Sequence, residues 1–271
     1  MQKRPETKTP EVHCAQPAIC KRPMGYRVDT IPWPIRPLYL VIMWVTGLVI
    51  YTYYLLCRVT SRISIEGPGN HDLSQHAIFC IWHESWWSYF VGFLRYRSAH
   101  AMITHPAAYM KPIHTVFRLM GLKPLLLGSS GDEGKRAVNQ LARLVQQGWS
   151  TTISPDGRSG PPRTLKKGVL HLAVHSGAPI VPLSISSSRF ISVPSWDSKK
   201  FPLPFSRIRV VVHKATHIDD QTFSETGERI VSALGAPDRS QLRGADGEYY
   251  KVEKTMDAIR PSKDEEVRKP R

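Results

Sequence analysis

Ala77-Ile-Phe-Cys-Ile-Trp-His83-Glu-Ser-Trp-Trp-Ser88 decides how the rest of the chain is read. Ala77 to Ile81 are almost continuously apolar, which predicts a short strand buried on both faces. His83 and Glu84 follow at its carboxyl end. In open α/β sheets ligands bind just outside that end. A histidine there is a candidate general base, and Trp86 and Trp87 could wall an apolar pocket beside it. The plainer alternative is a histidine that caps the strand or bonds to backbone.

Working outward, strands and helices alternate from about residue 60. Ile63–Glu66, Ala99–Thr104, Pro124–Leu127, Trp149–Ser154, Pro179–Ser186 and Arg207–His213 read as strands. Residues 84–95, Ala107–Met120 and Lys166–Ser176 read as helices. The clearest helix places Ala137, Val138, Leu141, Leu144 and Val145 on one face, with Asp132 and Glu133 in its first turn and Gly148 after its end. Thr222-x-x-Glu225 is a capping box before a last helix containing Ile230, Val231 and Leu234. Alternating βα units predict a single α/β domain over 60–235, with a largely parallel or mixed central sheet flanked by helices.

On the amino-terminal side, Leu38 to Cys57 is twenty residues without a charge. That is about the length that crosses a bilayer's hydrocarbon core as a helix. Trp33 precedes it, and Tyr51, Tyr53 and Tyr54 crowd its far end, as interfacial aromatics do. A buried soluble helix is one alternative, and a re-entrant or in-plane helix is another, because Pro32, Pro34 and Pro37 bend the entry. Residues 1–37 carry seven basic and three acidic residues with no periodicity, and read as a mobile tail that lies on anionic headgroups. Residues 236–271 are charged, patternless and expected to be mostly disordered.

The formal net charge of the 271-residue chain is +15. This implies attraction to a polyanion, either an anionic membrane surface or nucleic acid. Nucleic acid is disfavoured, because no recognition motif occurs and much of the charge sits in the tails. Cys14, Cys20, Cys57 and Cys80 have no framework spacing, so no disulfide or zinc site is expected.

Two loops could carry chemistry. Gly128-Ser-Ser-Gly-Asp-Glu-Gly134-Lys135-Arg136 fails the P-loop pattern, since its glycines are one residue too far apart and Arg136 follows the lysine. What remains is a Gly/Ser turn at a helix start, able to meet an anion or simply to cap the helix. Pro155-Asp156-Gly157-Arg158-Ser159-Gly160 presents one acid and one base after a strand, with Arg163, Lys166 and Lys167 close behind. It could hold a phosphate or polar headgroup by charge-assisted bonds, or brace its own turn.

The order of these stretches resembles the glycerolipid (lysophospholipid) acyltransferase superfamily, and most closely a bacterial branch long catalogued as a domain of unknown function. The matching residues are Trp82-His83, Gly128-Ser-Ser130, Ser154-Pro-Asp-Gly157 with Gly160-Pro161, Gly168-Val169, Gly177-x-Pro-Ile-Val-Pro182, Ser195-Trp-Asp197 and Pro202-x-Pro-Phe-Ser206. They cover roughly residues 60–220. The resemblance implies a glycerol-phosphate-acyltransferase-like fold. It implies transfer of a fatty acyl group from a thioester of coenzyme A or acyl carrier protein, with no bound cofactor or metal, to a hydroxyl of a lysolipid acceptor. His83 maps onto the base. Ser129, Ser130, Pro155, Asp156, Gly157, Arg158 and Pro182 map onto substrate-binding blocks. It further implies a bacterial inner membrane location with the catalytic domain on the cytoplasmic face.

Three positions depart from the superfamily pattern. The acid expected five residues after the histidine is Ser88, the arginine expected before the Gly-Ser-Ser loop is Leu127, and Arg158 falls one place early. A non-catalytic, lipid-binding or membrane-organising relative is therefore the alternative expectation.

Overall fold

A computed structural model describes residues 26–67, 76–93, 99–128, 132–218 and 223–235. The capping residue Thr222, both tails beyond these limits, and the turn residues Ser129, Ser130 and Gly131 lie outside the described residues.

Among the described residues nine strands and six α-helices follow one another as α1 (Arg36–Thr60), β1 (Arg62–Glu66), β2 (Ile78–Cys80), α2 (Trp86–Gly92), β3 (His100–Thr104), α3 (Lys111–Met120), β4 (Leu125–Leu127), α4 (Asp132–Gln146), β5 (Ser150–Ile153), α5 (Lys167–Ser176), β6 (Ile180–Ser187), β7 (Phe190–Ser192), β8 (Lys200–Pro202), β9 (Arg207–Val212) and α6 (Phe223–Leu234). Seven strands form one mixed sheet in the order β1-β9-β6-β2-β5-β3-β4. β2 pairs in parallel with β5 and β6, β3 with β5 and β4, and β1 with β9, while β6 and β9 run antiparallel. The expected α/β architecture with a largely parallel or mixed sheet is the one observed.

The sheet separates two cores. On one face Phe79, Ile81, Met102 and Val181 pack under α1, α2 and α3. On the other Ile78, Cys80, Ala101 and Ile180 pack under α4, α5 and α6. Each central strand contributes alternate residues to the two cores. That is why these strands read as unbroken apolar runs rather than as polar–apolar alternation.

α1 belongs to the first core. Met43, Gly47, Ile50, Tyr54 and Cys57 form its inner stripe, and Gly47, Tyr54 and Cys57 are buried. At Gly47 the two helices come close enough that a Cβ would stand 2.6 Å from Thr115 Cβ and 2.8 Å from Pro112 O of α3. The contacts run along the helix. Tyr39 Oη donates to Ala108 O, Tyr53 Oη to Pro202 O, and Arg58 to the carbonyls of Val91 and Gly92. Removing residues 1–58 would therefore strip Tyr54 and Cys57 from the core, at a cost of about 1.5–3 kcal/mol for each large side chain lost. The other side of α1 exposes Val41, Ile42, Trp44, Val45, Leu48, Val49, Leu55, Leu56 and Val59.

Two local features differ from the sequence reading. Residues 26–30 are held on the domain: Val28 N donates to Pro106 O, Ala108 N to Tyr26 O, and Arg27 pairs with Asp29 and Glu133. The expected mobile tail thus gives way to placed backbone by Tyr26. The second is the β7–β8 hairpin, a separate two-stranded sheet that sequence patterning does not reveal. Its strands are three residues each, and Pro194 and Pro202 break any alternation.

Candidate functional site

Register places the first two functional residues. β2 and β5 are neighbours, with Cys80 opposite Ile153. His83 and Asp156 each lie three residues further on, at the same edge of the sheet. Asp156 is buried, and its carboxylate accepts the backbone N–H of His83, 3.2 Å from Oδ1, and that of Arg163, 3.2 Å from Oδ2. It ties the strand–histidine junction to the far end of the Pro-Asp-Gly loop. Burial pushes the Asp156 pKa up to about 7, against the opposing pull of these backbone hydrogen bonds, and the nearby Asp197 carboxylate adds to the rise.

The imidazole itself is held from a different direction. His83 Nδ1 lies 2.5 Å from Asp197 Oδ2. Asp197 sits in the turn between β7 and β8, 114 positions along the chain, and its side chain is 1% exposed. Ser195 Oγ donates to Asp197 Oδ1 at 2.7 Å, and Lys199 Nζ does so at 3.0 Å. Burial alone would raise this carboxyl's pKa. The hydrogen bonds from His83, Ser195 and Lys199 outweigh it and hold the group well below the usual carboxylate range.

An ionised Asp197 has no proton to give, so the proton of the shared hydrogen bond resides on Nδ1. In the neutral imidazole this leaves the lone pair on Nε2. The His83 side chain remains 21% exposed, so the ring can be reached. Held tautomer, buried ionised partner and accessible ring are what a general base requires.

Trp196 completes this side. Its ring centroid is 5.0 Å from that of His83. The ring also lies against Gly160, where a Cβ would come within 2.6 Å of Trp196 Cε3. Gly160 has φ +63°, so it serves the close approach and the left-handed backbone together. Through Trp196 the hairpin turn rests on the Pro-Asp-Gly loop, and through Asp197 on the histidine.

Glu84 is held by other partners. It is buried and paired with Arg163 at 2.7 Å and Lys200 at 3.3 Å. This pair links the Pro-Asp-Gly loop, the histidine turn and β8 a third time. Trp86 and Trp87 turn into the core rather than toward the histidine. Trp86 packs on Tyr89 and Phe90, while Trp87 packs on Tyr54 and stacks on Phe201. The aromatic neighbour of His83 is Trp196, supplied by the hairpin.

The remaining expected site residues are spread more widely. Pro155 is buried and Gly157 turns with φ +68° beside Lys166. Arg158 is exposed and lies near enough to His105 for its charge to assist burial in lowering that imidazole's pKa. Pro182 is buried in β6 opposite Cys80 and forms part of the floor below the strand ends. Ser129 and Ser130 fall outside the described residues. Leu127 ends β4 at the sheet edge, 38% exposed, and Ser88 is buried in α2. Among the described residues no cluster of three His, Cys, Asp or Glu side chains could hold a metal ion.

Asp197 is the candidate site residue that reasoning from the histidine's own neighbourhood misses. Its only signal in the sequence is the Ser195-Trp-Asp197 triplet. The triplet lies among the matching blocks, but spacing assigns it no chemistry.

Comparison with known proteins places the chain only loosely. No family model matches it. An uncharacterised protein of Rickettsia prowazekii is 25% identical over 170 residues, covering 61% of this chain and 77% of the relative. Among solved structures, the crystal structure of the 1-acyl-sn-glycerophosphate acyltransferase PlsC of Thermotoga maritima aligns with a TM-score of 0.42 and 19% identity. The alignment spans 73% of this chain and 81% of that one.

Proposed function

We propose that the protein is a membrane-associated O-acyltransferase that moves a fatty acyl group from a thioester donor to a hydroxyl of a lysolipid. The observation that carries this reading is the His83–Asp197 contact, in which a buried ionised carboxylate fixes the Nδ1–H tautomer of a reachable imidazole. An alcohol is a poor nucleophile until a positioned base removes its proton. Nε2 takes the acceptor's hydroxyl proton as its oxygen attacks the thioester carbonyl carbon. The tetrahedral intermediate collapses with cleavage of the carbon–sulfur bond. The thiolate leaves and takes the proton from Nε2, which regenerates the neutral imidazole. The Asp197 carboxylate offsets the positive charge on the ring between these two transfers.

The donor is a thioester of coenzyme A or acyl carrier protein, which enters as a co-substrate. The acceptor headgroup is assigned to the loop after β5, where Arg158 is exposed and Lys166 lies over Gly157, together with Ser129 and Ser130. Leu127 stands where the superfamily pattern has an arginine, so the anion-binding burden is assigned to the loop after β5. The same substitution favours the second reading, a lipid-binding relative without turnover. The outer face of α1 supports membrane association, and the net positive charge of the chain favours an anionic bilayer surface on the cytoplasmic side.

The experiment is lipid mass spectrometry on membranes carrying the full chain or His83→Ala, supplied with acyl thioester and lysolipid. The substitution is expected to lower turnover roughly 10²–10⁴-fold, the usual range for a general base, with lipid binding retained. Equal product from both chains, in a host lacking other acyltransferases, ends the catalytic reading.

A further inference from the structure

We infer that the β7–β8 hairpin, with the Phe205 turn after it, is a second bilayer-inserting element that lies in one lipid-facing surface with α1. This inference rests on the membrane association proposed above. It adds which face meets the lipid and which part of the site that face carries.

α1 is apolar all round, yet protein covers only its inner stripe. A helix of that kind needs a second apolar medium on its other side. Its contacts with the domain extend from Tyr39 to Arg58. If α1 crossed the bilayer in this packing, α3 would follow it into the hydrocarbon with Lys111 and Arg118. An in-plane seat, with the outer stripe in the acyl region and the domain on the water side, avoids that cost.

The hairpin packs against the carboxyl-terminal half of α1. Ile191 is directly opposite Phe201, so the pleat puts both on one face. Phe201 stacks on Trp87 with centroids 4.1 Å apart, and Trp87 in turn packs on Tyr54 of α1. The backbone of Pro202 receives Tyr53 Oη. Beyond this contact Ile191, Val193 and Phe205 are exposed at 56%, 39% and 71%.

Phe205 also holds φ +60°, a backbone region unfavourable for an aromatic residue, while its N–H donates to Thr60 Oγ1 at the end of α1. A phenyl group held outward at that backbone cost has no gain in water and a clear one in lipid. Arg189 and Arg207 are exposed close by, which complements anionic headgroups. Since Asp197 sits in the turn of this hairpin, the histidine's partner is held at headgroup depth, where a membrane-borne hydroxyl would lie.

The test is spin-label depth measurement on the full chain bound to vesicles containing phosphatidylglycerol. Cys14→Ser and Cys20→Ser leave the buried Cys57 and Cys80, and single labels are introduced by Ile191→Cys, Phe205→Cys, Val45→Cys and Lys135→Cys. Position 45 reports the outer face of α1 and position 135 reports α4 in water. Labels at 191 and 205 are expected to collide with oxygen in preference to a water-soluble nickel chelate, as at 45 and several-fold more than at 135. Collision ratios at 191 and 205 that match 135 overturn the proposal, whatever position 45 shows. Assaying acyl transfer by the wild-type chain on the same vesicles separates the two readings. Inserted labels with no acyl transfer by the wild-type chain retain this surface and reject the enzyme, while aqueous labels with transfer do the reverse.

Discussion

Two aspartates reach the same histidine turn and are put to opposite uses. Asp156 comes from the strand next door, is buried, receives backbone N–H groups on its carboxylate, and has its pKa raised to about 7. Asp197 comes from a hairpin far along the chain. It receives the imidazole, a hydroxyl and an ammonium group, and stays ionised well into acid. A carboxyl poised near neutrality is a poor electrostatic partner for a base, since it is only partly charged where the base must work. It is a serviceable acceptor for two amides, and therefore a brace. The difference shows that closeness in the sheet does not assign the dyad. The charge state of the acid does, and that is set by which donors surround it.

The largest effect should come from breaking the Asp197 side. Asp197→Asn keeps the shape but replaces a carboxylate with a neutral amide, which removes the charge that stabilises the protonated ring. Turnover is expected to fall on the order of 10²-fold, toward the lower limit of a general-base contribution. Lipid binding should be unchanged. Ser88→Asp sharpens the comparison. In the wild-type chain it should give no gain, because Nδ1 already has its acid. In the Asp197→Asn chain it should restore part of the lost rate. Failure of Asp197→Asn to slow the reaction would remove Asp197 from the mechanism.

A smaller and different effect is expected on the Asp156 side. Its folded-state pKa of about 7 lies above the ordinary 3.8. Between those values the folded chain holds a proton that the unfolded chain has released, so raising the pH favours unfolding. This contribution to stability is complete below about 3.8 and is lost as pH rises through about 7. Asp156→Asn keeps an acceptor oxygen and cannot titrate. Thermal melts between pH 4 and 8 should show a shallower decline for it than for wild type. Parallel curves for the two chains would show that Asp156 does not titrate in this window.

The smallest effect tests the support of Asp197. Ser195→Ala removes one of three donors, and a hydrogen bond to a charged group contributes roughly 1.5–3 kcal/mol. Lys199 and His83 remain and keep the carboxylate ionised. Activity should therefore drop several-fold rather than collapse, with the acid limb of the pH–rate profile moved upward. An unmoved acid limb would mean that Ser195 plays no part in holding the charge.

The sheet and one wall of the cleft are legible in the sequence because they depend on short-range rules. Apolar runs of four or five residues between turns specify buried strands. Parallel pairing of such strands brings their carboxyl ends to one edge, so His83 and Asp156 meet by register alone. The amphipathic stripe of α4 and the two-sided apolar character of α1 are likewise properties of spacing. Only tertiary structure decides that α1 lies along the domain through Gly47, Tyr54 and Cys57. Several partners would satisfy an apolar helix, and the choice turns on a close fit to α3. Asp197 depends on tertiary structure even more. The loss of an acid at position 88 is visible in the chain, but its replacement comes from a hairpin whose three-residue strands carry no pattern. The hairpin is placed by contacts with Trp87, Gly160 and Glu84, all distant in sequence. Spacing records what neighbouring residues do to one another. A histidine and an aspartate joined across 114 positions are paired only when the intervening sheet has folded.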